Sequence, residues 1–198
     1  MPANKPPPNQ PAASTSVRRL RRAERREQLL AAATQAFARA GFAATSLDDI
    51  AAAAGISRVL LYRHFESKTD LYRAVLDRAI APLTAAVGTR DYTYASIDAL
   101  LAAAAEDPDG FRLLFHHTAR EPEFRQQMDR FRNGMVATAR RELARVIGDR
   151  AWVQWAAQLA PVVAIEAVMA WLDAGQPDPD RAADRIRQAL AGVISAAR

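Results

Sequence analysis

The chain has 198 residues, half of them apolar, and it contains no cysteine. This length suits one compact unit or two small domains, and a sequence without cysteine has no disulfide framework, which leads us to expect a cytoplasmic protein. The net charge of +5 is unevenly placed, because residues 1–73 hold 12 basic against 6 acidic residues and the remaining 125 hold 15 against 16. Codon preference can explain why arginine outnumbers lysine 25 to 2. The concentration of positive charge in the first third instead favours a polyanionic partner.

Helix-favouring residues dominate the chain. Alanine is abundant, β-branched runs are few, and no stretch alternates apolar and polar residues as a half-buried strand would. Residues 1–17 differ, since they contain five prolines and little to bury. We therefore predict a disordered, basic N-terminal arm over residues 1–21. A first helix is expected from about Arg22 to Ala40, with Gly41 ending it, and the predicted fold class is all-α.

Residues 46–65 are the most informative segment, because they predict two short helices joined by a tight turn. Ser46 can cap the first of these helices, with Asp49 as the reciprocal capping partner. Ala51 is small enough for the two helices to cross closely, and Gly55 stands where the chain must reverse. This spacing is that of a helix-turn-helix, a motif whose second helix enters the major groove of DNA.

The same segment resembles the TetR family of bacterial transcriptional regulators, over roughly residues 22–83. The resemblance rests on Gly41-Phe42, Thr45-Ser46, Asp49-Ile50-Ala51, Ala54-Gly55-Ile56-Ser57, Leu61-Tyr62-Arg63-His64-Phe65, Lys68 and Leu71. It implies that residues 22–83 are a three-helix DNA-binding domain. It also implies that residues 84–198 form a helical domain that binds an effector and dimerises, in a fold of about nine helices. Val59 and Leu60 depart from the family, in which these positions are usually small or hydroxylated.

The resemblance also implies which side chains meet DNA. Phosphate contacts are expected from Thr45, Tyr62, His64 and Lys68, within a DNA-binding set that also contains Ser46, Ser57, Arg58, Val59, Leu60 and Arg63. The residues themselves leave alternatives open, since Tyr62 can be a half-buried core aromatic and His64 can pack beside the first helix. Lys68 at the start of a helix opposes the helix dipole, which weakens a purely structural explanation for it.

Arg58 is the first candidate for base recognition, because a guanidinium can bind guanine O6 and N7 in a bidentate manner. A phosphate contact is the alternative. Val59 and Leu60 can contact thymine methyl groups, or one of them can belong to the core. We hypothesise that an adjacent minor groove is contacted by the arginines that join the arm to the first helix, namely Arg18, Arg19, Arg21 and Arg22. They can equally form a solubilising flank.

The helices expected after residue 84 carry more apolar surface than a DNA-binding head needs. For a small-molecule effector we nominate a mixed set of side chains: Phe111, Phe115, His116, Met128, Phe131, Trp152, Trp155, Glu166 and Met169. Core packing is the simpler explanation for each apolar member. For a homodimer interface on the last two helices we nominate Val162, Ile165, Met169, Ile186, Leu190, Val193 and Ile194. Glu166 lies in an otherwise apolar helix, and a buried carboxylate there would need a partner.

Other classes of protein find little support in the sequence. The apolar run 156–172 is short for a membrane span and includes polar residues, so a buried helix is expected. Adjacent His116 and His117 point in different directions on a helix, which disfavours a metal site. Since no nucleophile, glycine-rich or metalloprotease motif is present, we expect no catalytic residue, no metal and no cofactor.

These features together predict a homodimeric transcriptional regulator, most simply a repressor, located in the cytoplasm and on the nucleoid when bound. It would bind a palindromic operator in double-stranded DNA and be released by a small, largely apolar effector. Two alternatives stay open. One is a sequence-tolerant architectural DNA-binding protein, which the arginine arm and the charge distribution also suit. The other is a small-molecule-binding protein whose DNA head is vestigial.

Overall fold

The computed structural model describes the backbone of residues 12–87, 92–118 and 121–198, with side chains from Arg22 onward except those of residues 86–95. Within these ranges the chain forms no strand and nine α-helices: α1 (Ala12–Ala44), α2 (Leu47–Ala53), α3 (Arg58–Tyr62), α4 (Lys68–Val87), α5 (Tyr92–Glu106), α6 (Pro108–Arg112), α7 (Arg125–Leu143), α8 (Arg150–Asp173) and α9 (Pro179–Ala196). A π-helical turn (Leu113–His117) follows α6, and a 3₁₀ turn (Pro122–Phe124) precedes α7. The predicted all-α fold class is confirmed.

Helix α1 begins at Ala12, earlier than the start predicted near Arg22. Residues 12–21 contain no proline and include alanine, leucine and arginine, which are strong helix formers. Their backbone is helical, so this part of the predicted disordered arm was wrong, and residues 1–11 lie outside the described residues. Gly41 interrupts the helical geometry near the end of α1 with a φ of 77°, a conformation that only glycine adopts without strain.

Helices α2 and α3 form the predicted helix-turn-helix. The Asp49 amide donates to the Ser46 hydroxyl at 3.1 Å, and the Ser46 amide donates to the Asp49 carboxylate at 3.2 Å, so the capping box is present. Gly55 turns the chain with a φ of 64°. The Leu60 amide donates to the Ser57 hydroxyl at 3.3 Å and thereby caps α3. The motif predicted from the sequence is therefore confirmed down to its caps.

One apolar cluster joins the helix-turn-helix head to the helices that follow it. The cluster includes Phe37 of α1 and Tyr72 of α4, and it continues into Leu113 and Leu114 of the π-helical turn. The Tyr72 hydroxyl lies 3.2 Å from the hydroxyl of Thr118 in a fully buried pair. Apolar side chains on both sides of residue 83 pack into this one cluster. The domain boundary that we placed at residue 83 therefore stays a prediction from the sequence.

Helix α8 buries a single face against its own chain. The buried residues are Val153, Ala156, Ala157, Pro161, Ala164, Ile165, Val168, Met169 and Leu172. By length and mean hydropathy alone α8 could cross a membrane, a test that the core helix of a folded domain also passes. The opposite face exposes 48% of Trp152, 40% of Trp155 and 53% of Val162. We call these three residues the α8 strip, and the described protomer leaves them uncovered.

Candidate nucleic-acid interface and effector cavity

Helix α3 presents a row of exposed side chains. Val59 is 67% exposed and Tyr62 is 44% exposed. Arg58 and Arg63 are also exposed, whereas Leu60 is half-buried. Of the two departures from the family pattern, Val59 therefore faces outward and Leu60 packs partly into the head. The exposed face offers two guanidinium groups, a phenol and an isopropyl group.

The Arg58 guanidinium is held between α2 and α3. Its Nη1 donates to the Asp48 carboxylate at 3.0 Å, and its Nη2 donates to the Tyr62 hydroxyl at 3.4 Å. The guanidinium carbon lies 5.6 Å from the centre of the Tyr62 ring, within cation–π range. The hydrogen bond with Tyr62, followed by the charge of Asp48, raises the pKa of Arg58 above its ordinary value. Asp48 was not identified from the sequence, because a pair ten residues apart across a turn leaves no local pattern.

Thr45 does not present its hydroxyl to the surface, which corrects the prediction of a phosphate contact. The residue is 3% exposed, and its Oγ1 donates within the head to the carbonyls of Gly41 and Ala36, at 2.7 and 3.2 Å. The interruption at Gly41 frees carbonyl groups that a helix would otherwise satisfy. Thr45 therefore closes the connection between α1 and α2.

Lys68 is likewise a structural residue, which corrects the second predicted phosphate contact. Its Nζ donates to the carbonyls of Phe42, Ala43 and Thr45 at 2.8, 3.3 and 3.0 Å. The same nitrogen lies 4.5 Å from the centre of the Phe42 ring. An ammonium has three N–H donors, and all three are engaged at the end of α1. The sequence offered no sign of this role, because the acceptors lie more than 20 residues earlier in the chain.

His64 is half-buried at the end of the motif, beside the arginines of α1. Burial lowers the pKa of His64, and the charges of Arg22, Arg26 and Arg25 lower it further. Arg26 itself lies over the Phe65 ring, with its guanidinium carbon 5.1 Å from the ring centre. His64 therefore lies near α1 and keeps some access to solvent, and its contact with phosphate stays a prediction.

The remaining predicted DNA contacts lie at the edges of the interface. Ser46 and Ser57 are exposed, but their hydroxyls cap α2 and α3, and the Ser46 hydroxyl also donates to Asp49 at 2.6 Å. Arg22 is exposed at the start of the described side chains. The side chains of Arg18, Arg19 and Arg21 lie outside the described residues. For all of these residues a contact with DNA stays a prediction.

A cavity of about 290 Å³ lies between the π-helical turn, α7 and α8. We call it the outer cavity, and its lining is Leu114, Phe115, Met128, Phe131, Arg132, Met135, Val136, Gln158, Pro161, Val162, Ile165 and Glu166. Four of the nominated effector residues are in this lining: Phe115, Met128, Phe131 and Glu166. A mostly apolar wall with a few polar groups is typical of small-molecule sites.

Four other nominated effector residues lie elsewhere. Phe111 and Met169 are 3% and 2% exposed and belong to the core between α5, α8 and α9. Trp152 and Trp155 are on the surface, with ring centres 5.5 Å apart in an edge-to-face arrangement. For Met169, Trp152 and Trp155 the sequence does not indicate which face of α8 turns inward, because α8 is apolar almost all round. A role for these four residues in effector binding stays a prediction.

Glu166 lies at the rim of the outer cavity, and its side chain is 61% exposed. The buried carboxylate that we considered from the sequence is therefore a surface group. Its Oε2 lies 3.8 Å from Nε2 of His116, which places His116 beside the cavity and not in its lining. Within the part of the chain that the structure describes, no group of three or more His, Asp or Glu residues could hold a metal ion.

The nominated dimer interface is also revised. Inside the protomer's own core lie Ile165, Met169 and Ile186, at 9%, 2% and 6% exposure. Three further residues pack half-buried against the core: Leu190, Val193 and Ile194. Val162 is exposed, as an interface residue must be in the separated protomer. The uncovered apolar surface of the last two helices is instead the α8 strip.

Comparison with known proteins places the head of the chain in a family. Residues 29–75 match the family model described as "Bacterial regulatory proteins, tetR family". The chain is 38% identical over 119 residues to the HTH-type transcriptional activator FasR of Mycolicibacterium smegmatis, covering 56% of this chain and 54% of that protein. It is 42% identical over 60 residues to the HTH-type transcriptional repressor BepR of Brucella suis, covering 30% and 29%. The matches span about half of the first relative and less than a third of the second.

Solved structures extend the similarity over the whole fold. A TetR-like transcriptional regulator from Rhodococcus sp. RHA1 superposes with a TM-score of 0.72 at 22% identity, covering 84% of this chain and 93% of that one. SCO4454, a TetR-family transcriptional regulator from Streptomyces coelicolor, has a TM-score of 0.62 at 26% identity, covering 88% and 96%. Helix-turn-helix geometry, family match and fold agree: residues 29–75 match the TetR family of bacterial regulatory proteins, and the fold around them is shared with solved TetR-family regulators.

Proposed function

We propose that the protein is a sequence-specific, DNA-binding transcriptional regulator and not an enzyme. The observation that carries the proposal is the exposed face of α3, whose arginines, tyrosine and valine stand on a helix with a side-chain cap. Such a helix enters the major groove when it belongs to a helix-turn-helix. The excess of basic residues in the first 73 residues supplies the electrostatic attraction to phosphate that DNA binding requires. A protein that binds chromosomal DNA in a bacterium would be located in the cytoplasm.

Within this proposal each exposed side chain has a separate task. Arg58 recognises a base, and Val59 contacts a thymine methyl group if one faces it. Tyr62 and His64 bind phosphates and thereby set the position of the head on the duplex. Arg63 adds positive charge beside them. The arginines of the arm, of which Arg22 is described, reach the neighbouring minor groove.

We propose that two copies act together on a palindromic operator. The α8 strip supports this arrangement, because two tryptophans and a valine exposed on one helix face form an apolar surface that monomers seldom leave uncovered. A two-fold axis through α8 and α9 would bury the strip against its own copy. The two α3 helices would then enter successive major grooves about 34–36 Å apart.

We propose repression as the direction of regulation. Occupying an operator that overlaps a promoter requires no surface beyond the DNA-binding head and the dimer contact, whereas activation requires a further contact with the transcription machinery. Of the two relatives compared above, one is named an activator and the other a repressor. The direction is therefore tested by measuring transcription from the target promoter with and without this protein.

The outer cavity would hold the effector. Its lining includes Leu114 and Phe115 of the π-helical turn, and Leu114 also belongs to the core of the head. A ligand that binds better to a state with altered head spacing would weaken operator binding. By linkage the operator would then weaken ligand binding by the same factor.

Binding-site selection from random duplex DNA, at about 150 mM salt to screen non-specific attraction, tests the proposal. A palindromic consensus with half-sites one turn apart is the expected result. Enrichment of no sequence, with tight binding to all duplexes, would favour the architectural DNA-binding protein that the arginine arm also suits. Absence of DNA binding, together with binding of small apolar compounds, would favour a vestigial head.

A further inference from the structure

A second, smaller chamber lies next to the outer cavity, between α5, α7, α8 and α9. Its volume is about 70 Å³, and we call it the inner chamber. The two spaces share three lining residues, Met135, Pro161 and Ile165, so these residues lie between them. Methionine is unbranched and repacks easily. An elongated ligand could therefore extend from the outer cavity into the inner chamber past Met135.

Ser96 supplies an unsatisfied polar atom in this chamber. Its Oγ is inaccessible to solvent and has no hydrogen-bond partner in the described part of the chain. A serine within a helix ordinarily donates to the carbonyl four residues earlier when it is buried. A buried hydroxyl without a partner is unfavourable, so each such atom in a native protein needs an explanation. The inner chamber is otherwise almost entirely apolar, and a ligand group is the partner that this hydroxyl lacks.

Glu142 of α7 restricts which ligand group can enter. Its side chain is 22% exposed, lines the inner chamber and forms an ion pair with Arg145. A carboxylate accepts hydrogen bonds and repels a second anion at short range in apolar surroundings. A hydroxyl can donate to a carboxylate and can accept from, or donate to, a serine. An acid ionised at neutral pH has no proton to donate to either group, and the carboxylate of Glu142 repels its charge.

We infer that the effector is an elongated, apolar molecule that ends in a neutral hydroxyl group, of the class of medium-chain alcohols or alkylphenols. The apolar body occupies the outer cavity, and the hydroxyl end enters the inner chamber and binds Ser96. Glu142 selects against fatty acids of the same length. This inference rests on the proposed function, because it identifies the ligand class of the proposed effector site.

The first experiment compares 1-octanol with octanoate at neutral pH, by calorimetry on the full chain. Octanol is expected to bind at least about tenfold more tightly, since burying an ionised carboxylate beside Glu142 is unfavourable. Ser96→Ala is expected to weaken octanol binding about threefold to tenfold, the size of one hydrogen bond. Ser195→Ala, which alters an exposed serine of α9, is the matched control and is expected to bind octanol as the wild type does.

A second variant tests the selection against anions. Glu142→Gln keeps the shape of the side chain and removes its charge, so octanoate affinity should rise toward that of octanol. Equal affinities of the two probes for the wild type would overturn the inference. So would a lack of octanol binding up to its solubility limit, or equal octanol binding by Ser96→Ala and Ser195→Ala. If octanol binds at this site without changing the affinity for the operator, the binding site stands but its role as the effector site is overturned.

Discussion

The Arg58 guanidinium on α3 and the Asp48 carboxylate on α2 form an ion pair of 3.0 Å across the turn of the helix-turn-helix. The two side chains are 58% and 63% exposed, so the pair adds little to the stability of the fold. Its effect is on orientation, because Asp48 on one side and Tyr62 on the other fix the guanidinium before DNA arrives. A group held in its binding orientation loses less entropy on binding.

Arg58→Ala should weaken binding to the selected operator by about 1–3 kcal/mol and relax the preference at one base pair. The reason is the loss of a bidentate donor to a single base edge. Affinities for the consensus and for its single-base variants, measured at one salt concentration, check this expectation. Equal weakening on every sequence would assign Arg58 to a phosphate.

Asp48→Asn should reduce discrimination at the same base pair while raising affinity for non-specific DNA. The change releases the Arg58 guanidinium and removes a negative charge from the surface that faces phosphate. The effect is measured as the ratio of affinity for the operator to affinity for non-specific DNA. The control is Glu66→Gln, which removes an exposed carboxylate elsewhere in the head. If both variants gain affinity equally and keep the specificity ratio, Asp48 acts through its charge alone.

Lys68→Met should lower the free energy of unfolding by about 1–3 kcal/mol, because it leaves carbonyls at the end of α1 without a donor. The salt dependence of DNA binding should stay unchanged in the variant, since this ammonium is engaged within the head. Denaturant unfolding and a salt titration of DNA affinity make the two measurements. Arg73→Ala, an exposed cation of the same helix, is the control for charge. Unaltered stability with a smaller salt slope would restore the phosphate contact.

Stability should fall with acidification because of His64. Burial, and then Arg22, Arg26 and Arg25, hold the pKa of native His64 below its ordinary value. The unfolded chain therefore takes up its proton at higher pH, near the ordinary histidine pKa of about 6.5. The contribution of neutral His64 is full above that pH and is lost as the pH falls to the lower native pKa. Between about pH 7.5 and 5.5 the wild type should lose more stability than His64→Gln.

The same residue gives DNA binding the opposite pH dependence. A phosphate beside His64 favours its charged form, so affinity for DNA should rise as the pH falls over the range in which stability declines. In the variant His64→Gln, the affinity for DNA should depend less on pH, which a titration of DNA binding at several pH values measures. A wild-type curve no steeper than that of the variant would place His64 away from phosphate.

Trp155→Glu should convert the protein to monomers and weaken operator binding, because it introduces a charge into the centre of the α8 strip. Sedimentation velocity measures the oligomeric state, and DNA affinity is measured beside it. Gln126→Glu, at an exposed position of α7, is the matched control. A dimer that survives the change in Trp155 would move the interface away from the strip.

The residues that could be predicted from the sequence are those whose partners are close in the chain. Ser46 and Asp49 are three residues apart, and Gly55 stands in the turn itself, so local rules identify them. Thr45 and Lys68 resemble surface residues of a DNA-binding motif until the carbonyls near Gly41 are in place. Their roles depend on how α1 ends, which no spacing within the motif specifies.

The sequence did not separate the buried from the exposed nominated residues of α8, for a different reason. A helix with a clear polar face shows which side is buried, but α8 is apolar almost all round. Met169 and Trp155 were thus interchangeable in the sequence, although one is in the core and the other on the surface. The packing of α5, α7 and α9 against α8 determines the difference.

The π-helical turn Leu113–His117 places two functions on consecutive residues. Leu114 is buried in the core of the DNA-binding head and also lines the outer cavity, and Phe115 lines that cavity and packs against the same core. Each of these two residues therefore joins the head to the cavity. A ligand that displaces Phe115 would also shift Leu114, because one peptide bond joins the two residues, and would thereby disturb the core of the head. Ligand binding and the response of the head would then depend on the same segment, so a substitution there would alter both.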